Sequence, residues 1–215
     1  MYKKKFFFIV FEGIEGSGKS YLSKKLYKKI KKMGLPAILT REPGGTKAAE
    51  VIRKIILKDY FRSSPKEEFD RYTDTLLYLA ARNEHIVNKI RPAISKKKIV
   101  ICDRFIDSTF AYQVFGKGVK KQLIDSVHKY ILRGIKPNLT FVLKVTMSKA
   151  LSRLKKRKKK NRYDKFSKKF YMNAQKGFVK IAKRNRNRYY VFDNSKDNGA
   201  LEKTIFKIVD SKLKK

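Results

Sequence analysis

The chain reads as a three-layer α/β/α fold around a five-stranded parallel sheet, and three observations predict it. Five short runs rich in aromatic and β-branched residues, at 6–11, 37–40, 99–102, 139–145 and 189–192, alternate with stretches of helical periodicity. Glycine or proline punctuates the joins, as at Gly34, Pro36, Gly134 and Pro137. Directly after the first run, Gly13-Ile14-Glu15-Gly16-Ser17-Gly18-Lys19-Ser20 fits G-x-x-x-x-G-K-[ST] at every fixed position. Such alternation builds a parallel sheet with helices on both faces.

Strand, glycine-rich turn and helix together are the context in which this pattern has a mechanism. Gly13, Gly16, Ser17 and Gly18 let backbone N–H groups converge on a polyphosphate at a helix start. Lys19 can reach terminal phosphates, and the Ser20 hydroxyl can hold Mg2+. Leu22, Leu26 and Ile30 then mark a helix over 19–33, closed by Gly34.

The second strand, 37–40, runs into Arg41-Glu42-Pro43-Gly44-Gly45-Thr46 and a helix over 47–58. In open α/β sheets ligands gather at the carboxyl ends of strands, so this loop lies near the phosphate loop. By itself it could equally be a turn with a surface ion pair. A long helical pattern spans Glu67 to Ile94, with Leu76, Leu77, Leu79, Ala80, Ile86, Val87 and Ile90 among its apolar positions; Pro92 kinks or ends it. Tyr78 and Arg82 are four apart and share a face. They are either a core tyrosine with a solvent arginine, or a ring and guanidinium that sandwich and hydrogen-bond a base.

Asp103-Arg104 follows the third strand. A carboxylate there is the expected partner of Mg2+, and the arginine offers a bidentate fork to a phosphate. A helix cap with a surface ion pair is the alternative. Ser108, Thr109, Tyr112 and Gln113 place polar groups along a loop and short helix. A helix over 120–133 leads to the fourth strand. Leu151 and Leu154 open another helix, but 155–160 is an uninterrupted basic run, followed by Arg162. That block reads as a solvated helix end, a nuclear-localisation-like patch or a flexible lid that closes over phosphates. A helix over 165–186, with Phe166, Phe170, Phe178 and Ile181 as its core face, precedes the fifth strand and its exit loop, Asp193-Asn194-Ser195. A helix over 200–213 completes the order.

At 215 residues and 42% hydrophobic composition, one domain with a sizeable core is expected. The single cysteine, Cys102, excludes a disulfide framework and points to a reducing compartment. No apolar run is long enough to span a membrane. Lys3-Lys4-Lys5 before an apolar run imitates a secretion signal, but that run ends at Glu12 and enters the phosphate loop. The net charge of +38, from 56 Lys plus Arg against 18 Asp plus Glu, attracts polyanions. Lysine laid over solvent faces explains it; salt-sensitive, nonspecific nucleic-acid binding is the other reading.

Phe11-Glu12-Gly13 through Ser20, Arg41 to Thr46, Leu76 to Arg82, Asp103-Arg104-Phe105 with Ser108-Thr109, and Ala111-Tyr112-Gln113 stand in one order across nearly the whole chain. Together they resemble the thymidylate kinase family. The resemblance implies one P-loop nucleoside monophosphate kinase domain over 1–215, with a lid near 150–164. It implies phosphoryl transfer from ATP to dTMP in the cytoplasm, with Mg2+ and a homodimer formed through helices. It assigns Lys19 and Ser20 to ATP and Mg2+, Asp103 to the metal, and Glu15 to the neighbourhood of the acceptor sugar. Tyr78 matches the aromatic that stacks on thymine and Arg82 the arginine that bonds its carbonyl edge. Arg53 and Arg104 match holders of the dTMP phosphate. Thr109 and Gln113 line the base pocket, Tyr112 lies near the sugar C2′, and Glu42, Pro43 and Ser108 fall on the substrate side. Because the phosphate loop carries no arginine, the chain resembles the type whose lid supplies the catalytic charge. Arg153, Arg157 and Arg162 are the candidates. Asn161 stands where an acidic residue often precedes the lid arginine, and Val114 where glycine is common.

Overall fold

The computed structural model describes residues 7–58, 60, 68–156, 161–196 and 199–214. Its centre is β1 (Phe7–Glu12), in which every residue is buried. The sheet order is β2-β3-β1-β4-β5 and every pairing is parallel, with β2 at Ala37–Arg41, β3 at Ile99–Asp103, β4 at Leu139–Lys144 and β5 at Tyr189–Asp193. The expected three-layer architecture is therefore present.

The two-residue period of β1 assigns its side chains to two layers. Phe7, Ile9 and Phe11 pack with Leu22, Leu26 and Ile30 of α1 (Lys19–Lys32) and with Ile205, Val209 and Leu213 of α9 (Ala200–Lys214). Phe8 and Val10 face the other way, onto Ile86, Ile90, Ala93 and Phe105. The chain crosses from one side of β1 to the other between β3 and β4. That reversal opens a crevice at the carboxyl edge of the sheet, where the phosphate loop, residues 13–18, sits.

α2 (Lys47–Leu57) begins at Thr46, whose hydroxyl accepts from Ala49 N–H at 3.1 Å. The long helical pattern divides into α3 (Arg71–His85), a π-helical stretch (Ile86–Ile90) and α4 (Arg91–Ser95). Asp70 caps α3 through Tyr72 N–H at 2.7 Å, later than the expected start at Glu67, which lies outside the described residues. Pro92 has no N–H for the carbonyl four residues back, and the widened π turn just before it lets the helix continue.

A second π-helical stretch, Phe110–Gly116, extends α5 (Ile106–Thr109) where a loop and short helix were expected. α6 (Lys121–Ile131), α7 (Met147–Lys155), a 3-10 turn (Arg162–Lys165) and α8 (Lys168–Lys183) complete the order. The core face of α8 is Tyr171, Ala174, Phe178 and Ala182, with Phe166 and Phe170 packed beside it; Ile181, expected in the core, is only half-buried.

The π stretch meets α8 through a reciprocal exchange. A Cβ on Gly116 would lie 2.6 Å from the Phe170 ring, and one on Gly177 would lie 2.6 Å from the Phe115 ring. Each helix thus supplies a glycine for the other's phenylalanine. Gly177→Ala should gain about 1 kcal/mol of helix propensity, yet the clash with Phe115 outweighs it. The expected net loss in urea unfolding is about 1–2 kcal/mol. A stabilised variant would show that the Phe115 ring yields instead.

Candidate active site

The phosphate loop is shaped by close approach. Gly13 has φ 136°, and a Cβ there would lie 2.4 Å from the Leu143 carbonyl oxygen of β4. Gly18, at φ 93°, forms the left-handed start of α1. Ser17 is fully buried, and Asn194, just past β5, donates to its carbonyl at 2.8 Å. Lys19 folds back over the loop, with Nζ 2.6 Å from the Ile14 carbonyl and 3.3 Å from Ser17 Oγ. Burial, together with the nearby Arg104 charge, pushes its ammonium down to about 8.

Ser20 Oγ hydrogen-bonds Asp103 Oδ2 across the crevice. The other carboxylate oxygen, Oδ1, is buried with no hydrogen-bond partner among the described residues. A hydroxyl and a carboxylate with an orphaned oxygen, beside a phosphate loop, form a donor set that suits a hard divalent cation.

Arg104 sits at φ 74°, a conformation that L residues rarely adopt. The turn carries its guanidinium back under the loop, where it donates to the Gly13 carbonyl at 2.9 Å and to Glu15 Oε1 at 2.8 Å. Tyr112 donates to the other Glu15 oxygen at 2.5 Å. Burial by itself would raise the Glu15 carboxyl, but the charges of Arg104 and Lys19 and the Tyr112 hydroxyl outweigh it and hold it below the usual carboxylate range. Below this group, the buried Glu12 accepts from Phe105 N–H, Ser108 N–H and Ser108 Oγ, which fixes the loop after β3 to the strand that feeds the phosphate loop.

Arg41 and Glu42 separate, because successive residues at a strand end point to opposite sides. Arg41 pairs with Glu50 at 3.1 Å on the surface. Glu42, followed by a cis bond to Pro43, turns inward to Arg82 at 2.7 Å and to His85 at 3.0 Å. Arg53 donates to the Pro43 carbonyl at 2.7 Å. Arg82 is 2% exposed and also donates to Thr109 Oγ1 and to the Phe105 carbonyl.

One cavity joins these groups. Its walls include Glu15, Lys19, Ser20, Asp103 and Arg104 together with Glu42, Pro43, Arg53, Tyr78, Arg82, Ser108, Thr109, Tyr112 and Gln113. The lid candidates divide. Arg153 donates to the Gly16 carbonyl at 2.7 Å and to the Asn194 carbonyl at 2.9 Å, so it rests on the phosphate loop. Arg162 instead bonds the buried Asp74 of α3 and does not line the cavity. Arg157 lies outside the described residues.

Two residues escaped the motif reading. Tyr163 lies in the cavity wall, its hydroxyl 2.5 Å from that of Tyr78. A lone tyrosine beside a basic run was its only signal. Asp74 joins Arg162 to Lys117, the latter at 2.9 Å, and no local pattern marks it. Because Asp74 is fully buried between two cations, Asp74→Asn is expected to lower unfolding stability by about 3 kcal/mol in chemical denaturation. A loss under about 1 kcal/mol would show that water takes over the solvation of both cations.

A family model described as thymidylate kinase matches residues 11–205. A thymidylate kinase of Wolbachia pipientis is 42% identical over 212 residues, covering 96% of this chain and 97% of the relative. One of Mycoplasma capricolum is 37% identical over 209 residues, covering 96% of each. The crystal structure of thymidylate kinase from Ehrlichia chaffeensis superposes with a TM-score of 0.75 at 32% identity, over 94% of this chain and 98% of that one. Among the described residues, no helix is long and apolar enough to cross a membrane. The match along the chain and the agreement in fold lead to one conclusion: the chain belongs to the thymidylate kinase family.

Proposed function

We propose that the chain transfers the γ-phosphoryl group of ATP to dTMP, giving ADP and dTDP for the supply of dTTP, and that residues 1–215 form one kinase domain with a lid near 150–164. The observation that supports this reading is one cavity whose wall joins Lys19, Ser20 and Asp103 to Tyr78, Arg82 and Thr109. Attack of a dTMP phosphate oxygen on the γ-phosphorus breaks the bond to the β,γ-bridging oxygen, which leaves with ADP. Such a reaction needs alignment and charge neutralisation more than covalent help.

The phosphate loop, with Lys19, holds the ATP phosphates. Ser20 and Asp103 would hold Mg2+, which when bound neutralises polyphosphate charge. Arg53 and Arg104 hold the acceptor phosphate, and Glu15 keeps Arg104 aimed while facing the sugar. Tyr78 stacks on thymine, and Arg82, Thr109 and Gln113 supply its polar contacts. Tyr112 crowds the sugar C2′. Among lid arginines, Arg153 has the geometry to bring charge to the phosphates, since it already spans Gly16 and Asn194. Arg162 acts by tying the lid to Asp74, and Arg157 keeps its place as a lid candidate.

The assembly we propose is a homodimer. Val51 of α2 and Leu76 of α3 are 58% and 51% exposed on adjoining helices, a face that a second copy would cover. The sole cysteine, Cys102, is a buried free thiol, in keeping with the cytoplasm.

A coupled assay tests the reaction. ADP release with dTMP is expected to exceed that with AMP or CMP, and ADP release with those two but not with dTMP would sink the proposal. Arg153→Ala is expected to slow turnover by at least about tenfold through lost transition-state charge; unchanged turnover would move that role to another lid arginine. The Lys19 ammonium, at about 8 in the free protein, should rise when phosphates surround it. ATP binding at pH 8.5 is then accompanied by proton uptake, and affinity falls as pH rises through 8. Calorimetry in two buffers of different ionisation enthalpy measures that uptake; a binding heat independent of buffer would contradict it.

A further inference from the structure

Both of the chain's histidines lie in one buried cluster behind the cavity. His85 Nε2 is 2.6 Å from Thr40 Oγ1 and its Nδ1 is 3.0 Å from Glu42 Oε1, so it orients the carboxylate that pairs with Arg82. His128, on α6, is 4% exposed, and its Nε2 lies 2.8 Å from a terminal nitrogen of Arg82. That same nitrogen lies 2.7 Å from Thr109 Oγ1. Thr109 and Arg82 line the cavity, whereas His128 does not.

A guanidinium only donates, so His128 Nε2 must accept, and the imidazole is neutral with its proton on Nδ1. Burial and the Arg82 charge act in the same sense, pushing the ring down to about 3. The Phe110 ring meets the imidazole edge-on at 5.7 Å and limits its rotation. The other contacts of Arg82 fix the rest of its plane: Nε to Glu42 at 2.7 Å, and the second terminal nitrogen to the Phe105 carbonyl at 2.8 Å. The nitrogen shared by His128 and Thr109 is thus held from behind by one N–H, and its second N–H is given to Thr109, a residue of the cavity wall.

We infer that His128 is a positioning residue for pyrimidine recognition: it takes one N–H of Arg82 from behind the cavity and thereby aims the other at a base carbonyl. This rests on the reading that the base binds against Tyr78 and Arg82. Thr109 accepts that N–H in the unliganded site, and a carbonyl shares or replaces it when the base arrives. A donor held in this direction suits a 4-carbonyl and opposes a 4-amino group, which is itself a donor.

The test uses two variants of the full chain. His128→Phe keeps a flat ring but removes the acceptor; His128→Gln restores one at similar reach. In steady-state kinetics at saturating ATP, His128→Phe is expected to raise the KM for dTMP at least about tenfold, with a much smaller change in kcat and in the KM for ATP. Its preference for dTMP over dCMP should narrow, and His128→Gln should recover most of both. A KM for dTMP that does not move, or that rises equally in both variants, overturns the inference. Should His128→Phe not fold, His128→Asn, whose shorter amide stops short of Arg82, takes its place with the same two outcomes. Failure of the unmodified chain to phosphorylate dTMP at all would instead overturn the proposed reaction, so the two failures are distinguishable.

Discussion

The buried pairing of Arg82 with Glu42 sets conditions that much of the cavity obeys. Taking both charges out of water costs several kcal/mol per ion, and their attraction offsets this only when the remaining donors and acceptors are satisfied. Glu42 meets the condition with His85, and burial notwithstanding, the Arg82 charge and the His85 hydrogen bond hold its carboxyl below the usual range. Arg82 meets it with His128, Thr109 and the Phe105 carbonyl. Completing one ion pair therefore draws the end of β2, the last turn of α3, the loop after β3 and the inner face of α6 to a single point. Only after that convergence does the cavity have a wall around Arg82 and Thr109.

The same logic recurs beside the phosphate loop with different stakes. Arg104 is held against Glu15 at the cost of a left-handed backbone, and Glu15 is held in turn by Tyr112. Strain and desolvation are concentrated beside the phosphate loop. The chain has 18 acidic residues, and Glu12, Glu42, Asp74 and Asp107 are among its buried polar ones. Carboxylates drawn into the interior and lysines over the helices leave the large net charge on the solvent faces, while the cavity wall carries Lys19, Arg41, Arg53, Arg82 and Arg104 against Glu15, Glu42 and Asp103.

Legibility in the sequence followed the range of the interactions. The strands and the phosphate loop depend on neighbours within a few residues, and their patterns are readable within about a residue, whereas α3 and α8 start four and three residues later than their apolar patterns suggest. The loop Arg41 to Thr46 was placed correctly, but its ion pair was not: Arg41 turned out to face Glu50, and Glu42 a guanidinium 40 residues on. His128 carries no motif, because its partner is 46 residues away and its meaning lies in a direction, not a spacing. Arg162 was legible as a basic residue in a lid, but not as the partner of Asp74, 88 residues earlier. The two π stretches were invisible for another reason. A shift of one residue in the hydrogen-bond ladder leaves the apolar pattern nearly intact and shows only in coordinates.

The position of β1 has a consequence for biosynthesis. Its register partners arrive much later in the chain: Phe7 pairs with Ile99 and Ile9 with Leu139. A ribosome making 5–20 residues per second therefore extrudes the most apolar strand first and leaves both of its edges open for many seconds. The floor of the phosphate loop waits longer still, for Asn194. The sheet cannot grow outward from its first strand as it emerges; it closes around that strand only once β3 and β4 have followed. Nascent chains of this fold should accordingly be clients of factors that shield aromatic strands, and the phosphate loop should gain its full support only after Asn194 has emerged.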